Sequence, residues 1–372
     1  MEIKDLIPFF GISRQYASLR DQLLDITDHV YRSGQVLDGE QTLKFEQAIA
    51  RRCDRRYAIS VGSGTQGLIF ALQATQPAEL KNSAVLIPAV SFAATLNAPL
   101  QARRRPVICD VDHQGLMDLS TLGDTFKDIG ANAVMYVNLY GNCLDYDKFR
   151  IHTKFFNEEL YIIEDAAQSF GASYRGIPSG KMGDISVLSF DPTKNLPNYG
   201  SGGMVLTDDT DFADAVINFK DNGKDSGHHQ SGTNSKMSES ECAQMLVKLE
   251  HFDAWQLRRA KIADHYIETL FPYLDILIPS KDVVHSWHKF VVRVKTKRSR
   301  LQTFLLNEGV ETKIHYADTL YDLPLGYDFA DNANAYQGAE TLCRETLSLP
   351  IYPELTDGEV EHIAASVKKF FA

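Results

Sequence analysis

The chain has 372 residues, 44% of them apolar and 23% charged, with a net charge of -11. That is the make-up of an ordinary soluble globular protein, long enough for one large domain and a smaller one. The acidic balance argues against nucleic acid or an anionic membrane as the main partner, and the basic run Arg103, Arg104, Arg105 is too short and isolated to change that.

The five cysteines (Cys53, Cys109, Cys143, Cys242, Cys343) are odd in number and widely spaced. No pair has metal-ligand or redox spacing, so reduced thiols in a cytoplasm are expected. The N-terminus lacks a basic region followed by an apolar run, and no apolar stretch is long enough to cross a bilayer.

Apolar spacing predicts helices over residues 14–31 and 40–52, separated by Ser33-Gly34 and Asp38-Gly39. An alternation comes next. Strands are expected at 57–61, 84–87, 107–109, 133–137 and 160–163, and helices at 65–73, 92–102, 119–129 and 146–157. Strands alternating with helices predict an α/β fold, a mostly parallel sheet covered on both faces. Ile185–Phe190 and Gly203–Leu206 read as two more strands. Residues 221–235 are polar and Gly-rich and read as a mobile loop. His228 and His229 there lack a third ligand, so no metal site is expected. A long helix over about 238–270 leads out of the large domain into a smaller α+β domain. The chain thus divides into 1–250 and 251–372.

In an open parallel sheet, ligands bind beyond the carboxyl ends of the strands. The residues just past each strand are therefore informative. Gly62, Ser63, Gly64 and Thr65 come after the first and open a helix, whose backbone N–H groups suit a phosphate. Ser91 and Phe92 come after the second. Glu164, Asp165 and Gln168 come after the strand at 160–163. Lys194 is the only lysine between strands 185–190 and 203–206. A fixed, partly desolvated lysine can attack an aldehyde and form a Schiff base. A phosphate cradle, an aromatic plate, a carboxylate and a lysine on one edge match what pyridoxal phosphate needs. Each has a plainer explanation: Phe92 as core, Asp165, Ser63 and Thr65 as helix caps, Lys194 as a solvated loop residue. A rival is the dinucleotide fingerprint, because Gly62 to Gly67 fits G-x-G-x-x-G. It needs an acid about 20 residues on, where the chain reads Leu86-Ile87-Pro88-Ala89-Val90.

At these residues the chain resembles the DegT/DnrJ/StrS family of sugar aminotransferases, which have the aspartate-aminotransferase fold. The most specific segments are Glu164-Asp165-Ala166-Ala167-Gln168 and Pro192-Thr193-Lys194-Asn195-Leu196, in that order. The resemblance implies that Lys194 carries the cofactor and that Asp165 pairs with its ring nitrogen. It further implies phosphate binding by Ser63, Gly64, Thr65 and Ser189, Gln168 beside the ring oxygen, Phe92 stacked, and His315 and Tyr316 toward the substrate. Asn234 looks like the family asparagine that reaches a neighbouring subunit's phosphate, which implies a homodimer with shared active sites. The chain departs from the family pattern at Gln66, Asn138, Ser201 and 317–320. These departures bear on the sugar more than on the cofactor.

The reaction implied is amino transfer from glutamate to a keto sugar, nucleotide-linked, with a 3-keto-6-deoxy sugar favoured over a 4-keto one. The favoured position rests on Pro192–Leu196 followed by Tyr199-Gly200-Ser201-Gly202-Gly203. An NAD-dependent oxidoreductase is the second reading. A dehydratase of the same fold is the third, disfavoured because such enzymes replace the lysine with histidine. A non-catalytic scaffold or regulator is the fourth.

Overall fold

Runs of small and β-branched residues build the sheet, and one glycine-bearing helix lies close upon it. The computed structural model describes residues 6–76, 83–118, 130–156, 159–329 and 336–372. The predicted helix at 119–129 lies outside them. Helices α1 (Ile12–Ser33) and α2 (Glu40–Arg52) precede strand β1 (Tyr57–Val61). Then come α3 (Gly64–Ala74), β2 (Ala84–Pro88), α4 (Ala94–Gln101), β3 (Arg105–Cys109), β4 (Ala131–Val137) and β5 (Tyr161–Asp165). A small hairpin, β6 (Ser173–Tyr174) and β7 (Ile177–Pro178), leads to β8 (Ile185–Ser189) and β9 (Gly203–Thr207).

The main sheet has the order β1-β9-β8-β5-β4-β2-β3. The pairs β2–β3, β2–β4, β4–β5 and β5–β8 are parallel, and β9 alone runs antiparallel, between β8 and β1. This is the expected mostly parallel sheet sandwiched by helices. Its strands are buried on both faces, as a sheet covered by helices on each side requires. Two glycines let α3 approach the sheet. A Cβ on Gly67 would meet Val187 Cγ1 at 2.7 Å, and one on Gly64 would meet Ser189 Cβ at 2.8 Å. Two of the three glycines of the apparent dinucleotide fingerprint thus serve helix–sheet packing, Gly62 faces Ser235, and no acid stands at the end of β2.

The long helix Glu239–Leu270 starts with a capping box of Ser238 and Glu241. Its first half packs Cys242, Met245 and Phe252 under the main sheet. Its second half places Ile262, Ala263, Tyr266 and Leu270 in a separate core. That core is completed by the three-stranded sheet β10 (Asp275–Ile276), β12 (Phe290–Arg293) and β13 (Thr346–Leu349) and by helices Arg298–Asn307 and Asp357–Phe371. The short β11 (Val283–Val284) pairs with β6. Ile7 also packs in the second core and bridges to Val310.

The Gly-rich segment 221–235 is irregular but pinned. Asn218 Nδ2 donates to Ser226 Oγ and Gln230 Oε1, and Asp221 bridges to Asn234. Helices Thr210–Lys220 and Gln337–Glu345 and strand β13 are additions to the elements read from the sequence. No helix among the described residues is long and apolar enough to cross a membrane.

Candidate active site

At the carboxyl ends of β1, β2, β5 and β8 lies a cavity of about 450 Å³. Ten of the residues singled out from the sequence line it: Ser63, Gly64, Thr65, Phe92, Asp165, Gln168, Ser189, Lys194, His315 and Tyr316. Asn234 does not line it; it is exposed on its own chain.

Lys194 is positioned by a turn that its sequence dictates. Proline favours the second position of such a turn and aspartate the first. Lys194 N donates to Asp191 O at 2.9 Å, across Pro192 and Thr193. Asp191 Oδ1 accepts from Thr193 N at 3.0 Å and from Thr193 Oγ1 at 2.7 Å. The amine opens onto the cavity. Burial pushes its pKa below the usual lysine range, against the opposing pull of Asp165 and Asp191.

The adjacent acids Glu164 and Asp165 go to opposite sides of β5, as strand geometry requires. Glu164 is fully buried and its oxygens accept from Asn138 Nδ2, Ser179 Oγ, Gly180 N, Met182 N and Ser186 Oγ. It is a structural hub. Asp165 is 4% exposed, and among the described residues its carboxylate accepts only from Ala167 N at 3.1 Å and, weakly, from Thr95 Oγ1 at 3.5 Å. Burial pushes its carboxyl up to about 6. Asp165 therefore has acceptor capacity to spare inside a cavity.

At the other end, Ser63 caps α3 by accepting from Gln66 N at 3.1 Å. The first N–H groups of α3 are free of intrahelical partners by construction and adjoin Ser189 across Gly64. Phe92 is 57% exposed although it lines the cavity, which shows it is no core residue. Gln168 spans two elements: its Oε1 accepts from Tyr140 N and its Nε2 donates to Tyr316 Oη, both at 3.0 Å. His315 Nδ1 lies 2.9 Å from Ser348 Oγ, and burial pushes this imidazole down to about 3, so it is neutral.

Sequence reasoning missed Phe10, Tyr140, His288, Lys289 and Lys313. Their local sequence carries no signal, because long-range packing delivers them. Thr95 was the exception, one helical turn beyond Ser91, whose Oγ it meets at 2.9 Å.

These groups fit pyridoxal phosphate. A carboxyl with unused acceptor capacity, an amine of lowered pKa, an exposed aromatic face and a helix N-terminus face one cavity.

The DegT/DnrJ/EryC1/StrS aminotransferase family profile matches residues 18–368. The dTDP-3-amino-3,4,6-trideoxy-alpha-D-glucose transaminase of Streptomyces venezuelae is 30% identical over 98% of this chain and 96% of its own. The crystal structure of S. venezuelae DesV in complex with a ketimine intermediate superposes with a TM-score of 0.91, at 28% identity, over 99% of both chains. NtdA from Bacillus subtilis, solved with bound cofactor PMP, gives a TM-score of 0.89 at 26% identity, over all of this chain and 86% of that one. The chain belongs to the DegT/DnrJ/EryC1/StrS aminotransferase family and is a pyridoxal-phosphate-dependent aminotransferase.

Proposed function

We propose that the enzyme transfers an amino group from glutamate to a nucleotide-linked 3-keto-6-deoxy sugar, with Lys194 and Asp165 as its catalytic residues. One observation carries the assignment of roles. In a single cavity, burial drives an amine toward its neutral form and leaves a carboxyl short of partners. Bound there, pyridoxal phosphate supplies an aldehyde and an electron-withdrawing ring.

The chain's own groups do the rest. Neutral Lys194 Nζ is the form that attacks a carbonyl, and once free it carries the proton to and from the substrate carbon. Asp165 holds a proton on a ring nitrogen, since a cation facing it reverses the upward shift that burial imposes. Ser63, Gly64, Thr65 and Ser189 hold the phosphate at the N-terminus of α3. Phe92 and Gln168 would hold the ring, and neutral His315 and Tyr316 would orient the substrate. The five buried, unpaired cysteines fit a reducing cytoplasm.

The 3-keto choice is supported by the name of the S. venezuelae relative, a 3-amino-sugar transaminase, and by the loop Pro192–Leu196 that continues into Tyr199–Gly203. A loop next to Lys194 sets which carbon meets it, and a misplacement of about 1 Å costs on the order of 100-fold. Matched 3-keto and 4-keto nucleotide sugars should therefore differ by roughly that factor in kcat/KM with glutamate as donor. A preference for the 4-keto sugar would reassign the regiochemistry.

Asn234 supports a homodimer. It is exposed, held by the bridge to Asp221, and next to Ser235, whose Oγ accepts from Gly62 N at 2.9 Å. In a dimer it would complete the partner's phosphate site. Asn234→Ala is then expected to weaken cofactor retention about tenfold, the cost of roughly one good hydrogen bond to a charged group. Full activity in a species that sediments as a monomer would contradict this assembly.

A further inference from the structure

One charged group in the cavity neither holds the cofactor nor moves a proton in amino transfer. Lys289 is 5% exposed, and its ammonium has no hydrogen-bond or ion-pair partner among the described residues. Its backbone N–H donates to Tyr140 O at 3.0 Å, just before β12. The neighbouring Phe290 is fully buried in the second core, whereas Lys289 lines the cavity. The aromatic rings of Phe10 and Phe9 lie 4.4 and 5.3 Å from Lys289 Nζ. Lys313 lines the same cavity, with its Nζ 5.1 Å from Phe10 and 5.7 Å from Phe9.

The surroundings offer Lys289 little compensation. Lys194, Arg259 and Lys313 oppose its charge, and Asp191 supports it more weakly than any of them opposes it. Arg259 is itself held by the carbonyls of Trp287 and Ile351. Glu311 lies 3.7 Å from Lys313 Nζ, but its other oxygen is taken by Phe9 N at 2.8 Å. His288 and His315 are both held neutral by burial. Cation–π contacts offset only a small part of what burying an ammonium costs. Burial drives such an amine toward its neutral form, so keeping it charged takes an anion, and the cavity is the side from which one can come.

We propose that Lys289, seconded by Lys313, forms an anion subsite that takes a carboxylate of the substrate. Phe9 and Phe10 favour a carboxylate on a carbon skeleton over a multiply hydrated diphosphate. The phosphate cradle at α3 is built by other residues of the cavity lining, Ser63, Gly64, Thr65 and Ser189. A carboxylate can come from the amino donor or from a uronic-acid acceptor. That choice rests on the aminotransferase reading, while the subsite itself does not.

The test uses the holoenzyme and the variants K289M and K289R. Methionine keeps the stem against Phe9 and Phe10 and removes the charge. Glutarate, which has no amine or carbonyl to react, is titrated by calorimetry at low ionic strength. Wild-type protein and K289R should bind it, and K289M should bind it at least tenfold more weakly. Should K289M fail to fold, K313M probes the same subsite from its exposed side. A tenfold rise in the glutamate concentration that half-saturates the donor half-reaction assigns the carboxylate to the donor. A loss of preference for a keto-uronate over its neutral counterpart assigns it to the acceptor. Glutarate binding unchanged in K289M and K313M would overturn the subsite. Lysine-dependent glutarate binding without any half-reaction would keep the subsite and overturn the amino-transfer reading.

Discussion

Replacing Lys194 with alanine is expected to lower turnover at least about 1,000-fold, within the range for a general acid–base group, and to abolish covalent retention of the cofactor. The fold should survive. Lys194 lies in a turn whose bonds run through Asp191 and Thr193, and none of them uses its side chain. Removing an amine that burial disfavours also relieves a desolvation cost. Steady-state amino transfer and thermal melting check both halves of this expectation. Activity within tenfold of wild type would remove Lys194 from the chemistry, whereas a collapsed melt would make its role structural.

The second large effect is at Asp165. Asp165→Asn should cost on the order of 100-fold or more in rate, as loss of a preorganised electrostatic partner does. It should also have the opposite effect on the cofactor-free protein. The native carboxyl sits at about 6 against an ordinary 3.8. The folded state therefore binds the proton more tightly than the unfolded one. Stability then falls as pH rises between those two values, and the loss is complete above about 6. That difference corresponds to roughly 3 kcal/mol at most. Neutral asparagine escapes this penalty. Cofactor-free D165N should melt above cofactor-free wild type at pH 8 and lose that advantage toward pH 4. With cofactor bound the order should reverse. Parallel melting curves at the two pH values read this directly. A D165N variant that is equally active and shows no pH-dependent difference would refute the role.

The contrast between Glu164 and Asp165 shows how far the sequence could be read. Strand alternation sends the two acids to opposite faces, and the pattern alone does not say which face is the cavity. The difference lies in partners gathered from afar: Asn138, Ser179, Gly180, Met182 and Ser186 for Glu164, and little beyond Ala167 and Thr95 for Asp165. The parallel sheet, its order of strands and helices, and Lys194 between β8 and β9 were legible, because local apolar runs and turn residues specify them. Thr210–Lys220 was equally legible. Asp209 caps it, with its side chain accepting from Asp211 N and Phe212 N, and Phe212, Val216 and Phe219 form an apolar stripe. Strand β13 follows helix Gln337–Glu345 with no turn residue between them, so nothing local marks its start. The wall formed by Phe10, Lys289 and Lys313 was beyond reach. Its members come from segments up to three hundred positions apart, and only their packing brings them together.

We assign Lys194 as the residue that bears the cofactor. The most direct test is borohydride reduction of the purified holoenzyme followed by peptide mapping. A single pyridoxyl label on Lys194, with bleaching of the visible absorbance, is the expected result. A label on Lys181, Lys220 or Lys289, or no label on a protein that retains its cofactor, would contradict it.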